Sequence, residues 1–156
     1  MIELNNQANE NNADSTYRSY LSFKLDGEMF ATSVHHVQNI MEVVPITPVP
    51  KSPKHLKGVV NLRGNVLPVI DTRIKFGLSP VAYNKDTVIL VLEIKEDGEP
   101  IQVGALVDAV DAVFEAYDEE LAPPPTVGSK YKSEYIAYVL KRDDSFIHMI
   151  NTEKLF

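Results

Sequence analysis

Residues 58–71 read GVVNLRGNVLPVID, and this stretch carries the most informative pattern in the sequence. Two runs of β-branched and aliphatic residues flank Arg63-Gly64-Asn65, a pattern typical of a β-hairpin with a tight tip. Gly64 suits such a tip because glycine readily adopts positive φ. The tip presents Arg63 to solvent, where its five donors suit a partner's carboxylate or backbone carbonyls, although an ordinary exposed arginine fits equally.

Other turn signals lie on both sides of this hairpin. Residues 26–27 and 97–98 are both Asp-Gly, the dipeptide most typical of a two-residue hairpin turn. Residues 87–94 form a continuous apolar run, which predicts a central strand. A last hairpin is expected over 135–150, followed by a capped helical turn over 151–156.

Only short helices are expected between these strands. A helix over 54–57 is predicted to end at Gly58. A second helix, over 72–76, is predicted to be capped by Asp71 and ended by Gly77. Short strands, frequent turns and few long helical periods together predict an all-β fold.

The two halves of the sequence contain a similar pattern, which is called the echo. Each has an Asp-Gly-Glu turn followed by three branched apolar residues at a spacing of three, which reads as a helical turn or a twisted edge strand. The echo favours two similar small β-barrels within one domain over 17–156, with their junction near 78–85. Residues 1–16 are rich in asparagine and are expected to be disordered. The apolar triplets are Val34, Val37 and Ile40, then Val107, Val110 and Val113.

Composition excludes several classes of protein. The chain has no cysteine, which rules out disulfides and thiolate sites and favours a reducing cytoplasm. Its formal net charge of -7 disfavours nucleic acid and anionic lipid surfaces as partners. The N-terminus has no signal-peptide pattern, and no apolar run approaches the roughly 20 residues that span a bilayer.

No catalytic constellation is apparent, so no enzymatic activity, metal or cofactor is expected. Asp108 and Asp111 would share one face if they lay on a helix, as a pair of carboxylates for acid–base chemistry would require. They also fit the solvated side of a half-buried segment. His35 and His36 are adjacent and would diverge on either a strand or a helix, so they are not expected to bind one metal ion.

The chain resembles the CheW family over residues 17–156. The stretch 58–71, followed by Arg73 and Gly77, is similar to the family signature G-[VI]-[VIT]-N-L-R-G-x-[VI]-[VIL]-P-[VI]-[VIL]-D-L-R. Residues 34–40 and the prolines that follow them also fit the family pattern, as does VGALVDAV at 103–110. The resemblance implies two five-stranded SH3-like barrels packed around a shared apolar interface.

The resemblance also implies a function. Family members are non-catalytic scaffolds that bind the regulatory domain of the histidine kinase CheA and the cytoplasmic tip of chemoreceptors, in membrane-associated arrays. Arg63 matches the family arginine of receptor and kinase coupling, with Asn61 and Gly64 beside it, and Val37 matches a position in the receptor-facing groove. Asn39 stands where the family commonly has glutamate. The kinase-interface candidates are Asn39, Ile40, Met41, Glu42 and Val43.

Two other functions are weighed against a chemotaxis adaptor. The same adaptor role in a pilus-motility or other chemosensory-like pathway fits the sequence equally well. A small-molecule-binding or hydrolytic β-barrel that uses Asp108 and Asp111 belongs to a different class. A deep pocket with convergent polar groups would favour this second class.

Overall fold

The structure is a computed structural model, and it describes residues 16–125, 130–132 and 134–156. These residues form eleven strands, which confirms the predicted all-β class. The strands are β1 (Tyr17–Leu25), β2 (Glu28–Ser33), β3 (Val37–Glu42), β4 (Leu56–Leu62), β5 (Asn65–Asp71), β6 (Val88–Glu96), β7 (Glu99–Val107), β8 (Ala109–Tyr117), β9 (Leu121–Ala122), β10 (Ile136–Arg142) and β11 (Ser145–Ile150).

The strands form two sheets, each curled into a small barrel. Barrel 1 has the order β8-β1-β2-β11-β10-β9, and barrel 2 has the order β3-β6-β7-β5-β4. Barrel 1 has six strands where five were expected, because a 3-10 helix over Asp118–Glu120 separates β8 from the two-residue β9. In barrel 2, Thr47 continues from β3 and pairs with Val59 of β4, which joins the two edges of the sheet.

Each barrel combines strands from both halves of the sequence. Strands β1 and β2 pair with β8 and β11, whereas β6 and β7 pair with β3 and β5. Residues 78–85 therefore join the two halves of the chain without dividing one barrel from the other, contrary to the expected junction. The expected disordered tail lies outside the described residues except for Thr16, whose carbonyl accepts a hydrogen bond from the Asp118 N–H (2.9 Å).

The helices are short, as expected, but one is absent. Helix α1 (Thr72–Lys75) begins after Asp71, whose Oδ1 accepts the Ile74 N–H at 3.3 Å. The helix predicted over 54–57 is wrong, since β4 already begins at Leu56. Gly58 lies inside β4 at φ 151°, where a Cβ would overlap the Thr47 backbone, so this glycine permits the closure of barrel 2.

The apolar triplets belong to strands and a 3-10 turn. Val34 opens a 3-10 helix over Val34–His36, and Val37 then begins β3. Val110 and Val113 lie in β8. Residues 151–156 contain a 3-10 helix over Thr152–Lys154, in agreement with the predicted terminal turn.

Three clusters of buried side chains form the core, one within each barrel and one between them. A small cluster fills barrel 1 around Tyr20, Leu140 and Met149, and another fills barrel 2 around Val69 and Ile89. The largest cluster lies between the barrels and takes side chains from β1, β2, β5, β6, β7, β10 and β11. This shared core explains why the 17–156 region forms one unit, because neither sheet buries all its apolar faces alone.

Candidate functional site

The β4–β5 hairpin presents Arg63 in a strained turn. Arg63 and Gly64 both have positive φ, 52° and 84°, as a type I′ turn requires. Asn61 supports this turn, because its Oδ1 accepts the Gly64 N–H at 3.0 Å. Arg63 is exposed, and no hydrogen bond or ion pair joins its guanidinium to another of the described residues. The chain therefore holds an unneutralised cation at the hairpin tip.

A cavity of about 360 Å³ lies beside this tip, at the mouth of barrel 2. Arg63 and Leu62 line one side of it, and Val91 lines its floor. The remaining lining side chains are four amides, which have donors and acceptors but no charge. Arg63 therefore carries the only formal charge among the described side chains that line this mouth, and the mouth suits an anionic or carbonyl-rich partner. The amides are Gln38, Asn39, Asn65 and Gln102.

The kinase-interface candidates, which lie on β3 and directly after it, are divided between an exposed face and a half-buried one. Ile40 is 43% exposed, and Asn39 and Glu42 are exposed as well. Met41 and Val43 are half-buried and pack against the core of barrel 2. Asn39 lies near Arg63 at the cavity, and its Oδ1 accepts the Ile40 N–H at 2.8 Å.

Strands β3 and β8, each at the edge of its own sheet, both carry apolar side chains that border the shared core, and these side chains are called the apolar surface of β3 and β8. Val34, Val37 and Val110 are half-buried and pack against this core. Ile40 on β3 and Val113 on β8 are exposed, the latter by 63%. The two apolar triplets of the sequence therefore supply partly solvated apolar side chains from both barrels, a feature typical of protein-binding surfaces.

Asp108 and Asp111 do not form a catalytic pair. Asp108 lies between β7 and β8, and its Oδ2 accepts hydrogen bonds from Arg73 Nη1 (2.5 Å) and the Asp26 N–H (2.8 Å). Asp111 lies in β8, and its Oδ2 accepts the Ser22 hydroxyl at 3.1 Å. There is no helix here to align the two carboxylates, and each already has its own protein partner.

The mouth of barrel 1 repeats the geometry of the Arg63 mouth. Arg142 and Ser145 pair beside the β10–β11 turn, as Leu62 and Asn65 pair beside the β4–β5 turn. Asp143 thus occupies the position equivalent to the tip arginine, and it too has positive φ, 53°. The cavity at this mouth is larger, about 800 Å³.

The lining of this larger cavity is mainly apolar, with Phe114, Phe146 and Met29 among its side chains. Two of its charged groups, Arg142 and Glu28, are bonded to other residues of the protein. Arg142 donates to the Glu115 carbonyl at 2.6 Å and lies over the Phe114 ring. Glu28 accepts a hydrogen bond from the Tyr131 hydroxyl at 2.6 Å. Burial raises the pKa of Glu28, but this hydrogen bond and another from Lys130 help to lower the pKa by more, so it lies below its ordinary value. Such an arrangement is typical of a structural network.

Comparison with known proteins identifies the family. The model of the CheW-like domain matches residues 19–156, which is nearly the whole described chain. The chain belongs to the CheW-like family. The probable chemotaxis protein CheW of Rhizobium etli is 32% identical over 139 residues, which cover 89% of this chain and 87% of that protein.

Two other similar proteins, one of them of known structure, carry the same family name. The chemotaxis protein CheW of Klebsiella aerogenes is 31% identical over 138 residues, covering 88% of this chain and 81% of its own length. The crystal structure of the scaffolding protein TtCheW from Thermoanaerobacter tengcongensis superimposes with a TM-score of 0.80 at 31% identity, covering 89% of this chain and 87% of that one. Both the family and the all-β fold predicted from the sequence are confirmed.

Membership of the CheW-like family fits a site built from protein-binding surfaces. The structure brings Arg63 and Asn39 to one cavity and places Val37 on the apolar surface of β3 and β8. Sequence reasoning missed Val113 as an exposed apolar residue and the cavity beside Phe146; the spacing-three triplets were the signal for Val113. Among the described residues, no helix is both long and apolar enough to cross a bilayer.

Proposed function

We propose that this protein is a non-enzymatic adaptor that couples chemoreceptors, the methyl-accepting chemotaxis proteins, to the histidine kinase CheA. The observation that carries the proposal is the unneutralised Arg63 guanidinium at the hairpin tip, beside a cavity lined by amides, in a member of the CheW-like family. A cation held in a strained turn, with no hydrogen bond or ion pair to another described residue, is available to a partner's carboxylate.

The apolar surface of β3 and β8 supports a second binding function. Ile40 and Val113 expose apolar area on strands of different barrels, and Val37 and Val110 lie half-buried with them against the shared core. A receptor tip that buries apolar side chains there would gain roughly 25 cal/mol for each Å² removed from water. An adaptor needs two partner surfaces, and Arg63 and this apolar surface provide two of different chemistry.

The proposal includes the partners and location of the protein. The regulatory domain of CheA and the cytoplasmic tip of the receptor are the two partners, and the adaptor works in the cytoplasm at membrane-associated receptor arrays. The same adaptor role in a pilus-motility or other chemosensory pathway would use the same surfaces with a different kinase and receptor.

The hydrolytic alternative receives little support. Asp108 accepts a hydrogen bond from Arg73, and Asp111, which lines the larger cavity, accepts one from Ser22, so the two carboxylates bind different partners and do not form an acid–base pair. The larger cavity beside Phe146 is mainly apolar, and two of its charged groups, Arg142 and Glu28, are paired within the protein. These features favour a scaffold over an enzyme.

Calorimetric titration tests the adaptor. The chain is titrated with the purified regulatory domain of the kinase and, separately, with a soluble receptor-tip fragment. Both are expected to bind, and Arg63→Ala is expected to weaken at least one of them by about 30-fold or more, the cost of truncating one side of a desolvated charge pair. Lys141→Ala removes an exposed cation from the corresponding hairpin of barrel 1 and serves as the control. Binding of neither partner by the intact chain would refute the proposal.

A further inference from the structure

One side chain of barrel 2 contacts both a turn of barrel 1 and the segment at which the chain crosses into that barrel. Arg73 belongs to α1, which follows β5 of barrel 2, and its side chain is only 10% exposed. Its guanidinium makes three contacts with protein acceptors: Asp108 Oδ2 from Nη1 (2.5 Å), Asp26 Oδ1 from Nη2 (3.1 Å) and the Ser79 carbonyl from Nε (2.8 Å). The Arg73 guanidinium is thus bound on both its forked edge and its Nε side.

These three acceptors belong to different parts of the fold. Asp26 is in the β1–β2 turn of barrel 1. Asp108 is the residue at which the chain leaves β7 of barrel 2 and enters β8 of barrel 1, and its N–H donates to the Lys24 carbonyl of β1 at 3.0 Å. Ser79 begins the connection from α1 to β6. A single planar group therefore ties barrel 2 to the turn of barrel 1 and to the segment at which the chain crosses from β7 to β8, while its third bond, to Ser79, stays within barrel 2.

The shared core holds the barrels together but does not fix the angle between them as strictly as the hydrogen bonds of Arg73 do. Burial of apolar area is non-directional and is roughly proportional to the area removed from water. A guanidinium fork, by contrast, fixes both the distance and the plane of the carboxylates that it binds. Lys130, 3.4 Å from Asp26 Oδ2, is half-exposed and attached to a flexible stem, so it cannot replace this fork.

We infer that Arg73 is a positioning residue, which sets the angle between the barrels at which β3 and β8 present their apolar side chains as one binding surface. The inference rests on the proposed adaptor function for the meaning of that surface. Its structural part, the angle, is measured independently of any partner. The residue pairs that carry it are Arg73–Asp108 and Arg73–Asp26.

Spin labels provide the direct test, because the chain has no cysteine and two introduced ones are labelled uniquely. Nitroxides are placed at Val66→Cys in barrel 2 and Phe146→Cys in barrel 1, exposed positions that follow equivalent hairpin tips. Electron–electron dipolar spectroscopy then gives the distance distribution between the barrels. Arg73→Met keeps the apolar stem and loses the fork, and Arg18→Met removes an exposed ion pair with Asp118 within barrel 1 and is the control.

The Arg73→Met distribution is expected to broaden or shift, while that of the control overlays the parent. Circular dichroism of both variants is expected to remain native, since the shared core stays intact. If Arg73→Met fails to fold, Asp26→Asn, which weakens one contact of the fork, is measured in its place with the same expectation. A distribution identical to that of the parent, in whichever variant is measured, overturns the inference.

Receptor binding connects the angle to function. If only about a tenth of the molecules keep the binding angle, the apparent Kd for the receptor-tip fragment rises about tenfold. Arg73→Lys, which keeps the charge but only part of the fork, is expected to lie between the parent and Arg73→Met in both distance distribution and affinity. A broadened distribution with unchanged receptor affinity would contradict the role of the angle in binding. Failure of the intact chain to bind the receptor would count against the proposed function instead.

Discussion

Replacing Arg63 with asparagine separates the two roles that an arginine at a hairpin tip can have. Arg63 has φ 52°, a conformation that costs L-amino acids about 1–2 kcal/mol and that asparagine adopts far more readily. The guanidinium makes no contact within the described chain that the substitution would remove. Arg63→Asn is therefore expected to leave the free energy of unfolding unchanged or to raise it by up to about 1 kcal/mol.

The same substitution removes the charge that we propose for coupling. A gain of about 1 kcal/mol raises Tm by about 2–4 °C in a domain of this size. Loss of one side of a desolvated charge pair costs roughly 2–5 kcal/mol of binding, or about 30-fold or more in Kd. Stability and binding are thus expected to change in opposite directions.

Differential scanning calorimetry and titration with the kinase regulatory domain and the receptor tip measure these two effects. Asp97 holds the equivalent place in the Asp97-Gly98 turn at φ 53°, so Asp97→Arg is the mirror variant. It should lose about the stability that Arg63→Asn gains, with no effect on coupling. Loss of more than about 1 kcal/mol of stability in Arg63→Asn would make Arg63 a structural anchor. Unchanged binding of both partners would make it an ordinary surface residue.

Four other substitutions test the fold around the site. Gly58→Ala should destabilise the protein by about 1–3 kcal/mol in chemical denaturation, because the new Cβ overlaps a neighbouring backbone; an unchanged midpoint would contradict the closure of barrel 2. Hydrogen bonding, first from Arg73, holds the pKa of Asp26 below its unfolded value of about 3.9, so this stabilisation is complete above pH ~4 and is lost as pH falls through the folded pKa. Asp26→Asn should therefore flatten the fall in stability below pH ~4, and an unchanged slope would argue against the pairing. Met41→Asp should cost more than about 2 kcal/mol of stability, whereas Ile40→Asp should leave Tm almost unchanged; equal losses would show that the two side chains do not face opposite ways.

Local features of the fold could be predicted because they depend on a few neighbouring residues. The tip at Arg63-Gly64 follows from the need for positive φ in a two-residue turn between apolar strands. The helix after Asp71 follows from its capping side chain. The prediction that Gly58 ends a helix was wrong, because a glycine after a short polar run resembles a helix end and equally permits the close approach of two strands.

Long-range features could not be predicted from pattern alone. Period-two alternation identifies strands but not their partners, so the exchange of strands between the two barrels was not foreseen. The faces of β3 were also unpredictable, because its register shifts between Val37 and Asn39 and every later side chain changes face. For this reason Met41 and Val43 face the core while Ile40 faces solvent.

Recruitment of the kinase to receptors tests the adaptor function most directly. Receptor cytoplasmic fragments are attached to vesicles, mixed with the kinase, and sedimented with and without this protein. The kinase is expected to sediment with the vesicles only when this protein is present, and Arg63→Asn is expected to reduce the sedimented kinase while Lys141→Asn does not. Kinase that sediments equally well without this protein, or never sediments with it, would contradict the proposed adaptor function.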